Sequence, residues 1–442
     1  MQRKLMQKLL LWQTSQRRQP LIVQGARQVG KTYLLKYFAQ QHYHNFIYLN
    51  FETNEIFKQI FEKTIVPKEI IKQLELYFNQ KIEPGKTLII FDEIQAQERA
   101  LTALKYFSEQ ANEYHLIAAG SLLGVVVNRE KHSFPVGKVD FLTLYPLDFE
   151  EFLWAKDRVE LAKTVKEHYY NNTVFPLHDL VLELYKSYLI VGGMPAVVKA
   201  YLEDESFVEL KTIQDNILNS YIADMAKYAS PEETTKIMAA FNSIPNQLAK
   251  ENKKFQYKIV QKGGTSIIFG HALQWLKTAG LIHQCYKVEH GYMPLTAYRD
   301  LTSFKIYSLD PGLLTQQAGL DTYNLLHKGL NHNTFIGAVA ENYVATALVS
   351  QGLPLYYWTS AETAEVDFVI QDQQEIVPIE VKANEHTKSR SLTIYQQKYQ
   401  PQFSLRFSTK NFGWHNQIKS IPIYAVFCLE KDKINQTIPV VK

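Results

Sequence analysis

The stretch of sequence that decides the fold is LIVQGARQVGKT, residues 21–32. Its first three residues form an apolar run typical of a β-strand, and Gly25 to Thr32 follow the pattern GxxxxGKT. The residues behind it, YLLKYFA, have the apolar spacing of a helix. A glycine loop between a strand and a helix wraps phosphate groups, because backbone N–H groups and the positive end of the helix dipole point at the same place. The sequence therefore predicts a nucleotide-phosphate site at this loop.

The loop assigns roles to particular side chains. Lys31 is expected to reach the β- and γ-phosphates of ATP, and the hydroxyl of Thr32 is expected to ligate Mg²⁺. ATP and Mg²⁺ are therefore the predicted ligands. The whole loop is predicted to line the nucleotide: Gly25, Ala26, Arg27, Gln28, Val29, Gly30, Lys31 and Thr32.

A second apolar run, residues 87–91, ends in two acidic residues, Asp92 and Glu93. Asp92 is expected to hold the Mg²⁺ shell, and Glu93 is expected to orient and deprotonate the attacking water. Ser121 follows the apolar run 116–120 and is predicted either to sense the γ-phosphate or to cap the next helix. The candidate catalytic residues are therefore Lys31, Glu93 and Ser121.

Two more strand-like runs complete the pattern of an α/β domain. Residues 46–50 and 140–144 alternate with helical stretches, which predicts a parallel sheet with right-handed crossovers. Ligands of such sheets bind at the carboxyl ends of the strands. Residues 1–155 are accordingly predicted to form a parallel-sheet P-loop ATPase domain.

The chain resembles bacterial and archaeal AAA+ ATPases whose second half is a domain of unknown function. The resemblance covers nearly the whole chain and rests on GARQVGKT, LIIFDEIQ, GSLLGVVV, SFPVGKVDFLTLYPLDFEEFL, YLIVGGMPAVV, YIAD, EVDFVI and PIEVK. It implies an ATPase that assembles with copies of itself, so that a basic residue of one copy touches the γ-phosphate in the next. Arg129 and Lys138 are the candidates, although each is also explained as a solvated loop charge. Lys138 stands where the family usually has arginine, and lysine cannot make the same forked contact with phosphate.

Three further domains are predicted beyond residue 155. Residues 156–230 have helical spacing broken at Gly192-Gly193 and Pro195, and they are expected to form a helical lid. Residues 231–330 show a helix, a turn, a short helix, another helix and two strands, an order that resembles a winged helix-turn-helix. Residues 331–442 are expected to form an α/β domain that resembles restriction endonucleases.

A short basic segment lies within the predicted winged helix. Between residues 250 and 262 a single acid, Glu251, stands against Lys250, Lys253, Lys254, Lys258 and Lys262. Clustered lysines of this kind are typical of contact with phosphate groups, which predicts DNA as a partner. The alternative is a solvated lysine face on a domain that binds protein.

Two strand-like runs near the C-terminus, EVDFVI and IVPIEVK, are separated by a short polar loop and predict a hairpin. Side chains alternate along a strand, so Glu380 and Lys382 are expected on one face, with Ile379 and Val381 in the core. With Asp367 they match the D…ExK pattern of restriction-endonuclease-like folds. That pattern predicts a second divalent metal at Asp367 and Glu380, with Lys382 as a catalytic residue. Further candidates are Glu341 as an added acid, and Lys388 and Arg390 as guides for a nucleic-acid backbone.

The alternative for the C-terminal residues is a charged strand surface or a nuclease fold without activity. The composition also indicates the cellular location. The two cysteines lie far apart and outside any metal-binding pattern, and no apolar stretch approaches the roughly 20 residues of a membrane span. A cytoplasmic protein that does not enter a membrane is expected. Two functions stay open, namely an ATP-driven machine that associates with DNA and a nucleotide-controlled switch that binds a protein partner.

Overall fold

The computed structural model describes residues 1–121, 137–204, 207–320, 334–360, 364–383 and 390–434. The chain divides into two compact units. The first contains residues 1–145 and 278–280, and the second contains residues 146–277 and 281–442. Within the described residues, no helix is both long and apolar enough to cross a membrane.

The first unit is an α/β layer structure around a parallel sheet. Its five strands lie in the order β2-β3-β4-β1-β5, and every neighbouring pair is parallel. The predicted parallel sheet is therefore confirmed. Its elements are α1 (Leu5–Thr14), β1 (Leu21–Gln24), α2 (Lys31–His42), β2 (Asn45–Asn50), α3 (Glu55–Lys63), α4 (Pro67–Phe78), β3 (Thr87–Asp92), α5 (Glu98–Gln110), β4 (His115–Gly120) and β5 (Asp140–Thr143).

The central strands of this sheet are buried along their length. All six residues of β3 and all six of β4 are buried, as expected for parallel strands covered on both faces. Strands whose side chains are all buried must place their polar residues at their ends. The polar residues of β3 and β4 lie at the strand ends, with Thr87 and His115 at the amino ends and Asp92 at the carboxyl end.

The second unit begins with helices. These are α6 (Phe149–Ala155), α7 (Val159–Asn171), α8 (His178–Val191), α9 (Pro195–Asp204), α10 (Phe207–Tyr228), α11 (Pro231–Asn242), α12 (Ile244–Leu248), α13 (Tyr257–Val260) and α14 (Ser266–Thr278). Phe149 of α6 packs edge-on against Tyr188 of α8, with ring centroids 5.5 Å apart. Residues 146–155, which the sequence assigns to the ATPase domain, therefore belong to the second unit.

The predicted break between α8 and α9 is a tight elbow. Gly193 approaches Leu147 so closely that a Cβ atom on it would lie 1.9 Å from the Leu147 carbonyl oxygen. The backbone N–H of Gly193 donates to Asp310 Oδ2 at 2.6 Å, and its carbonyl accepts from the N–H of Leu147 at 2.7 Å. Only glycine fits there, which explains why the helix ends before it.

The rest of the second unit is one mixed sheet of eight strands with helices and turns around it. The strands lie in the order β12-β13-β11-β10-β9-β8-β6-β7. The bounds are β6 (Ile282–Val288), β7 (Arg299–Ser308), α15 (Pro311–Gln317), α16 (Thr334–Ser350), β8 (Tyr356–Thr359), β9 (Glu365–Asp372), β10 (Glu375–Val381), α17 (Arg390–Tyr399), β11 (Ser404–Ser408), β12 (Gly413–His415) and β13 (Ile418–Pro422).

The predicted hairpin of EVDFVI and IVPIEVK is confirmed, because β9 and β10 pair antiparallel from Asp372 and Glu375 at the turn. The predicted domain boundary at residue 330 stays a prediction. The order of helices and strands predicted for residues 231–330 is present, but β6 also pairs in parallel with β8 of the next predicted domain. A two-stranded hairpin alone is marginally stable, so it gains by joining a larger sheet. A winged-helix role for these residues stays a prediction.

Candidate nucleotide site and candidate charge cluster

The glycine loop of the first unit adopts backbone angles that require glycine. Gly25 has a φ of +150°, and a Cβ atom on it would lie 2.2 Å from the Leu144 carbonyl oxygen. Gly30 has a φ of +93° and directly precedes α2. Glycine adopts positive φ without the clash that other residues meet. The loop therefore delivers the N-terminus of α2 to the carboxyl edge of the sheet.

Lys31 is buried in the curve of this loop. Its Nζ donates to the carbonyl oxygens of Gly25 at 2.9 Å and Ala26 at 2.8 Å. These contacts hold the ammonium group where the loop closes around an anion. The geometry brings Lys31 to the place that its predicted role requires.

Thr32 and Asp92 meet across the sheet edge. The hydroxyl of Thr32 donates to Asp92 Oδ2 at 2.7 Å, although the two residues lie 60 positions apart in the chain. A hydroxyl and a carboxylate are the hard oxygen donors that Mg²⁺ prefers. The donor set therefore fits a magnesium ion shared between these residues and nucleotide phosphates.

Tyr48 is a member of this site that the sequence did not reveal. Its hydroxyl donates to Asp92 Oδ2 at 2.7 Å, the same oxygen that Thr32 contacts. Lys36 Nζ lies 3.7 Å from the centroid of the Tyr48 ring and holds the ring from α2. The register of β2 with β3, in which Asn50 is level with Asp92, brings Tyr48 within reach. The contact between Tyr48 and Asp92 can therefore be recognised only once the pairing of β2 with β3 is known.

Glu93 follows Asp92 in a left-handed backbone conformation, with a φ of +52°. Its carboxylate accepts a hydrogen bond from Gln95 Nε2. Burial raises the pKa of Glu93 and the charge of Asp92 raises it further, against the lowering by Gln95. A carboxylate with a raised pKa is a better proton acceptor near neutral pH. This environment supports Glu93 as the general base.

The roles predicted for three further residues, Ser121, Arg129 and Lys138, stay predictions. Ser121 is buried directly after β4, whose Gly120 is level with Gln24 of β1. Its role as a phosphate sensor stays a prediction. Arg129 lies outside the described residues. Lys138 forms an ion pair of 3.1 Å with Glu109 of its own chain, and its part in a neighbouring site also stays a prediction.

Arg3 supports the loop from the N-terminal helix region and was not recognised in the sequence. Its guanidinium donates to the carbonyl oxygens of Val29 at 3.0 Å and Tyr145 at 2.5 Å. Val29 immediately precedes Gly30 and Lys31, so Arg3 fixes the part of the loop that carries the lysine. A basic residue near the chain start gives no local signal for such a contact.

Replacing Arg3 with alanine is expected to weaken ATP binding about tenfold, because buried hydrogen bonds from a charged group are lost beside Lys31. Binding of a fluorescent ATP analogue measures the effect. Arg17→Ala, which removes an exposed arginine of the same region, is the control. If Arg3→Ala lowers the melting temperature but leaves ATP affinity unchanged, Arg3 supports the fold and does not position the loop.

β1, the glycine loop and α2, with Asp92 at the end of β3 and Glu93 directly after it, have the arrangement of a P-loop ATPase domain. Residues 17–153 match the family described as AAA domain. Residues 182–324 and 336–426 match two families described as domains of unknown function, DUF8612 and DUF4143.

Among curated proteins, an uncharacterized protein of Haemophilus influenzae is 25% identical over 393 residues, which are 84% of this chain and 86% of that protein. Among solved structures, a Walker-type ATPase of Pyrococcus abyssi is 16% identical with a TM-score of 0.43, and the match covers 72% of this chain and 95% of that one. The ORC2 protein of Aeropyrum pernix, in ADPNP-ADP complexes, is 15% identical with a TM-score of 0.36, over 74% of this chain and 92% of that one.

The second unit contains a buried cluster of charged residues at the predicted nuclease position. Asp367 of β9 accepts from the backbone N–H of Val381 at 2.8 Å, which joins it to β10. Glu380 of β10 pairs with Lys382, whose Nζ lies 2.5 Å from Glu380 Oε1. The structure therefore brings together the three residues of the D…ExK pattern.

The predicted burial of Val381 is corrected, because Val381 is only half-buried, whereas Ile379 is buried as predicted. Glu380 is buried as well, with 3% of its surface exposed. Lys382 lies just past the end of β10. The four consecutive residues from Val377 to Glu380 are buried, which is typical of a strand covered on both faces. Both α16 and α17 pack against β10, which is an inner strand of the sheet.

Glu341, the added acid of the prediction, is occupied by groups of its own chain. Lys253, Lys305 and Tyr307 all bond to its carboxylate, with Lys305 Nζ 3.1 Å from Oε1. Burial raises the pKa of Glu341, but the two lysines outweigh it and lower the pKa to about 2. Glu341 is therefore an anion held by two cations.

Lys305 is the centre of the cluster and was read in the sequence only as part of a strand. It is fully buried, and its Nζ lies 2.5 Å from Glu365 Oε1 as well as 3.1 Å from Glu341 Oε1. Burial lowers the pKa of Lys305, but Glu341, Glu365 and Asp367 hold it well above its usual range. The chain thus supplies a cation among these carboxylates.

The donors do not fit the predicted second metal as a complete site. No group of three or more histidine, cysteine or acidic residues in the described part of the chain is arranged to hold a metal ion. Lysines occupy Glu341 and one oxygen of Glu380. Burial raises the pKa of Asp367 to about 7, helped by the charges of Glu341 and Glu380. The lysines at Glu341 and Glu380 therefore supply positive charge that a divalent ion would otherwise bring to these carboxylates. Lys388 lies outside the described residues, and Arg390 is an exposed residue at the start of α17.

Proposed function

We propose that this protein is a Mg²⁺-dependent ATPase whose nucleotide state controls association of its second unit with DNA. The observation that carries the first part is the convergence of Thr32 and Asp92 beside Glu93, at the edge where Lys31 closes the glycine loop. These are the parts that phosphoryl transfer to water requires: a phosphate grip, a metal site and a base.

The chain's own residues divide the work of hydrolysis. Lys31 exchanges its contacts with loop carbonyls for the β- and γ-phosphate oxygens. Thr32 and Asp92 would hold Mg²⁺, which would offset negative charge on the phosphates. Glu93 accepts a proton from water as the water oxygen attacks the γ-phosphorus, and the bond to the leaving ADP oxygen breaks. Tyr48 keeps the Asp92 carboxylate in place through its hydroxyl.

Exposed lysines of the second unit support the DNA part of the proposal. Lys253 is engaged by Glu341, but the other four of the segment are exposed: Lys250, Lys254, Lys258 and Lys262. Against the exposed Glu251 they leave a charge of +3 on a short surface segment. Such a surface binds phosphates with little dependence on sequence.

Reversing three of these charges is expected to weaken DNA binding. In Lys254→Glu, Lys258→Glu, Lys262→Glu, the slope of log affinity against log salt should fall by about 0.9 for each lost phosphate contact. Lys253 is left in place because its removal would disturb Glu341. The control reverses three lysines elsewhere in the second unit, Lys163, Lys199 and Lys433, with the same change in net charge. Equal losses in both triple variants would mean that only net charge matters.

Coupling between ATP and DNA is tested by measuring DNA affinity in two nucleotide states. Glu93→Gln with ATP represents the bound state before hydrolysis, and the parent protein with ADP represents the state after it. A difference of about fivefold or more is expected for a coupled machine. Equal affinities would separate ATP turnover from DNA association and reject the proposed control.

A second function, a nucleotide-controlled switch that binds a protein partner, is favoured by one observation. Ile267 and Ile268, at the start of α14 beside the lysine segment, have 89% and 40% of their surface exposed. Adjacent exposed isoleucines are unusual for a surface that meets only phosphates, and they are common in protein interfaces. Under this function Ile267→Asp removes partner binding while DNA affinity stays at the parent value.

A further inference from the structure

A pocket of about 190 Å³ lies in the second unit, and its lining contains no residue of the nucleotide site or of the charge cluster. It is formed by the loop after β6, the first residues of β10 and the end of α17, with Tyr292, Met293, Glu375, Tyr395 and Tyr399 in its lining. Tyr292 and Met293 have 55% and 43% of their surface exposed, so the pocket opens to solvent beside them.

Three tyrosine rings at different angles form much of the lining. The rings of Tyr292 and Tyr399 are nearly perpendicular, with centroids 5.4 Å apart, and those of Tyr395 and Tyr399 are 4.7 Å apart at 45°. Ring faces carry partial negative charge and attract cations. Lys398 already places its Nζ 5.1 Å from the centroid of the Tyr399 ring. The tyrosine cluster thus accepts a cation of its own chain.

Two polar groups of the pocket lack partners. The Tyr395 side chain is fully buried, and its hydroxyl has no hydrogen-bond partner among the described residues. The half-buried Glu375 carboxylate likewise forms no ion pair or hydrogen bond that the described residues show. An unsatisfied buried hydroxyl and an unpaired carboxylate both favour a ligand that brings N–H donors and positive charge.

The size of the pocket limits the ligand to one group. Pockets that enclose whole small molecules measure about 300–1,000 Å³, and this one is smaller. A guanidinium group suits it, since it is planar, stacks on aromatic rings and bonds to a carboxylate with two N–H groups. We propose that this pocket is a docking site for an arginine side chain of a partner protein. The proposal is independent of the nucleotide site and of DNA association.

Methionine methyl spectra of the full-length protein test this docking site, because Met293 is one of only six methionines and lines the pocket. The probes are N-acetylarginine amide and its neutral isostere N-acetylcitrulline amide, with Met293→Leu used to assign the signal. Arginine amide is expected to shift the Met293 signal in a saturable way and to bind about fivefold or more tightly than the citrulline amide.

Two glutamate variants, one inside the pocket and one outside it, complete the test. Glu375→Gln is expected to weaken arginine amide about fivefold or more, whereas Glu289→Gln, an exposed glutamate near Met293, should leave affinity unchanged. Unshifted methionine signals outside the pocket show that each variant is folded. The proposal is overturned by an unsaturable shift, by equal binding of the citrulline amide, or by unchanged affinity in Glu375→Gln. Tighter binding of tetramethylammonium than of arginine amide would also overturn it, in favour of a free quaternary ammonium ligand.

Discussion

Glu93→Gln should bind ATP but fail to hydrolyse it, whereas Lys31→Ala should lose ATP binding. The amide of glutamine keeps the shape of the side chain but cannot accept a proton from water, and a positioned base contributes roughly 10²–10⁴-fold to rate. Under the proposed function Lys31 contacts the phosphates themselves, so its loss acts before the chemical step. Lys31→Ala should therefore lose ATP affinity, whereas Glu93→Gln should lose only the rate of hydrolysis.

Equilibrium binding of ATP and single-turnover hydrolysis distinguish these effects. Glu83→Gln serves as the control, since Glu83 is an exposed glutamate paired with Lys86 at the surface of the same unit. Because burial raises the pKa of Glu93, the parent rate should fall with decreasing pH at a higher pH than an ordinary carboxylate would give. Parent-like turnover by Glu93→Gln would remove Glu93 from the mechanism.

Lys305→Met should destabilise the second unit by about 3–5 kcal/mol, because it leaves buried carboxylates without their cation. Methionine fills a similar volume, so the loss of packing is small. Denaturant unfolding of the full-length protein measures the change, with Lys287→Met, a partly exposed lysine of the adjoining strand β6, as the control. The double variant Lys305→Met, Glu341→Gln should recover much of the loss.

The effect of Lys305→Met on the free energy of unfolding should depend on pH. In the parent protein the pKa of Glu341 is lowered to about 2 from its ordinary value of 4.5, so its stabilisation is complete above pH 4.5 and is lost as pH falls towards 2. In Lys305→Met the carboxylates lose that cation, and protonation relieves their repulsion. The difference between parent and variant should therefore shrink at low pH. A constant difference would mean that Lys305 acts through packing and not through charge.

Sequence reasoning located the nucleotide site because its signals are local. Gly25 to Thr32 lie within one strand, loop and helix, and Asp92 with Glu93 stands at the end of an apolar run. Each motif indicates the local backbone conformation from residues that are close in sequence. Parallel strands then bring their carboxyl ends to the same edge of the sheet. Thr32 and Asp92 could therefore be placed together before any distance was known.

The residues that escaped sequence reasoning act over long separations in the chain. Arg3 contacts Tyr145, and Tyr48 reaches Asp92 only through strand register. Lys305 of β7 meets Glu341 of the helix α16. None of these pairings leaves a periodic pattern in the sequence. The same limit explains why the burial of Glu380 was not predicted, since the helices that pack against β10 come from distant segments.

The ladder between β6 and β8 has a consequence for the evolution of this chain. The regions matched as two families, residues 182–324 and 336–426, contribute strands to one sheet. A gene rearrangement that moved only one of them would expose an unpaired strand edge, and such edges promote aggregation. We expect the two regions to have been inherited together, as a single unit of exchange, wherever they occur downstream of a nucleotide-binding domain.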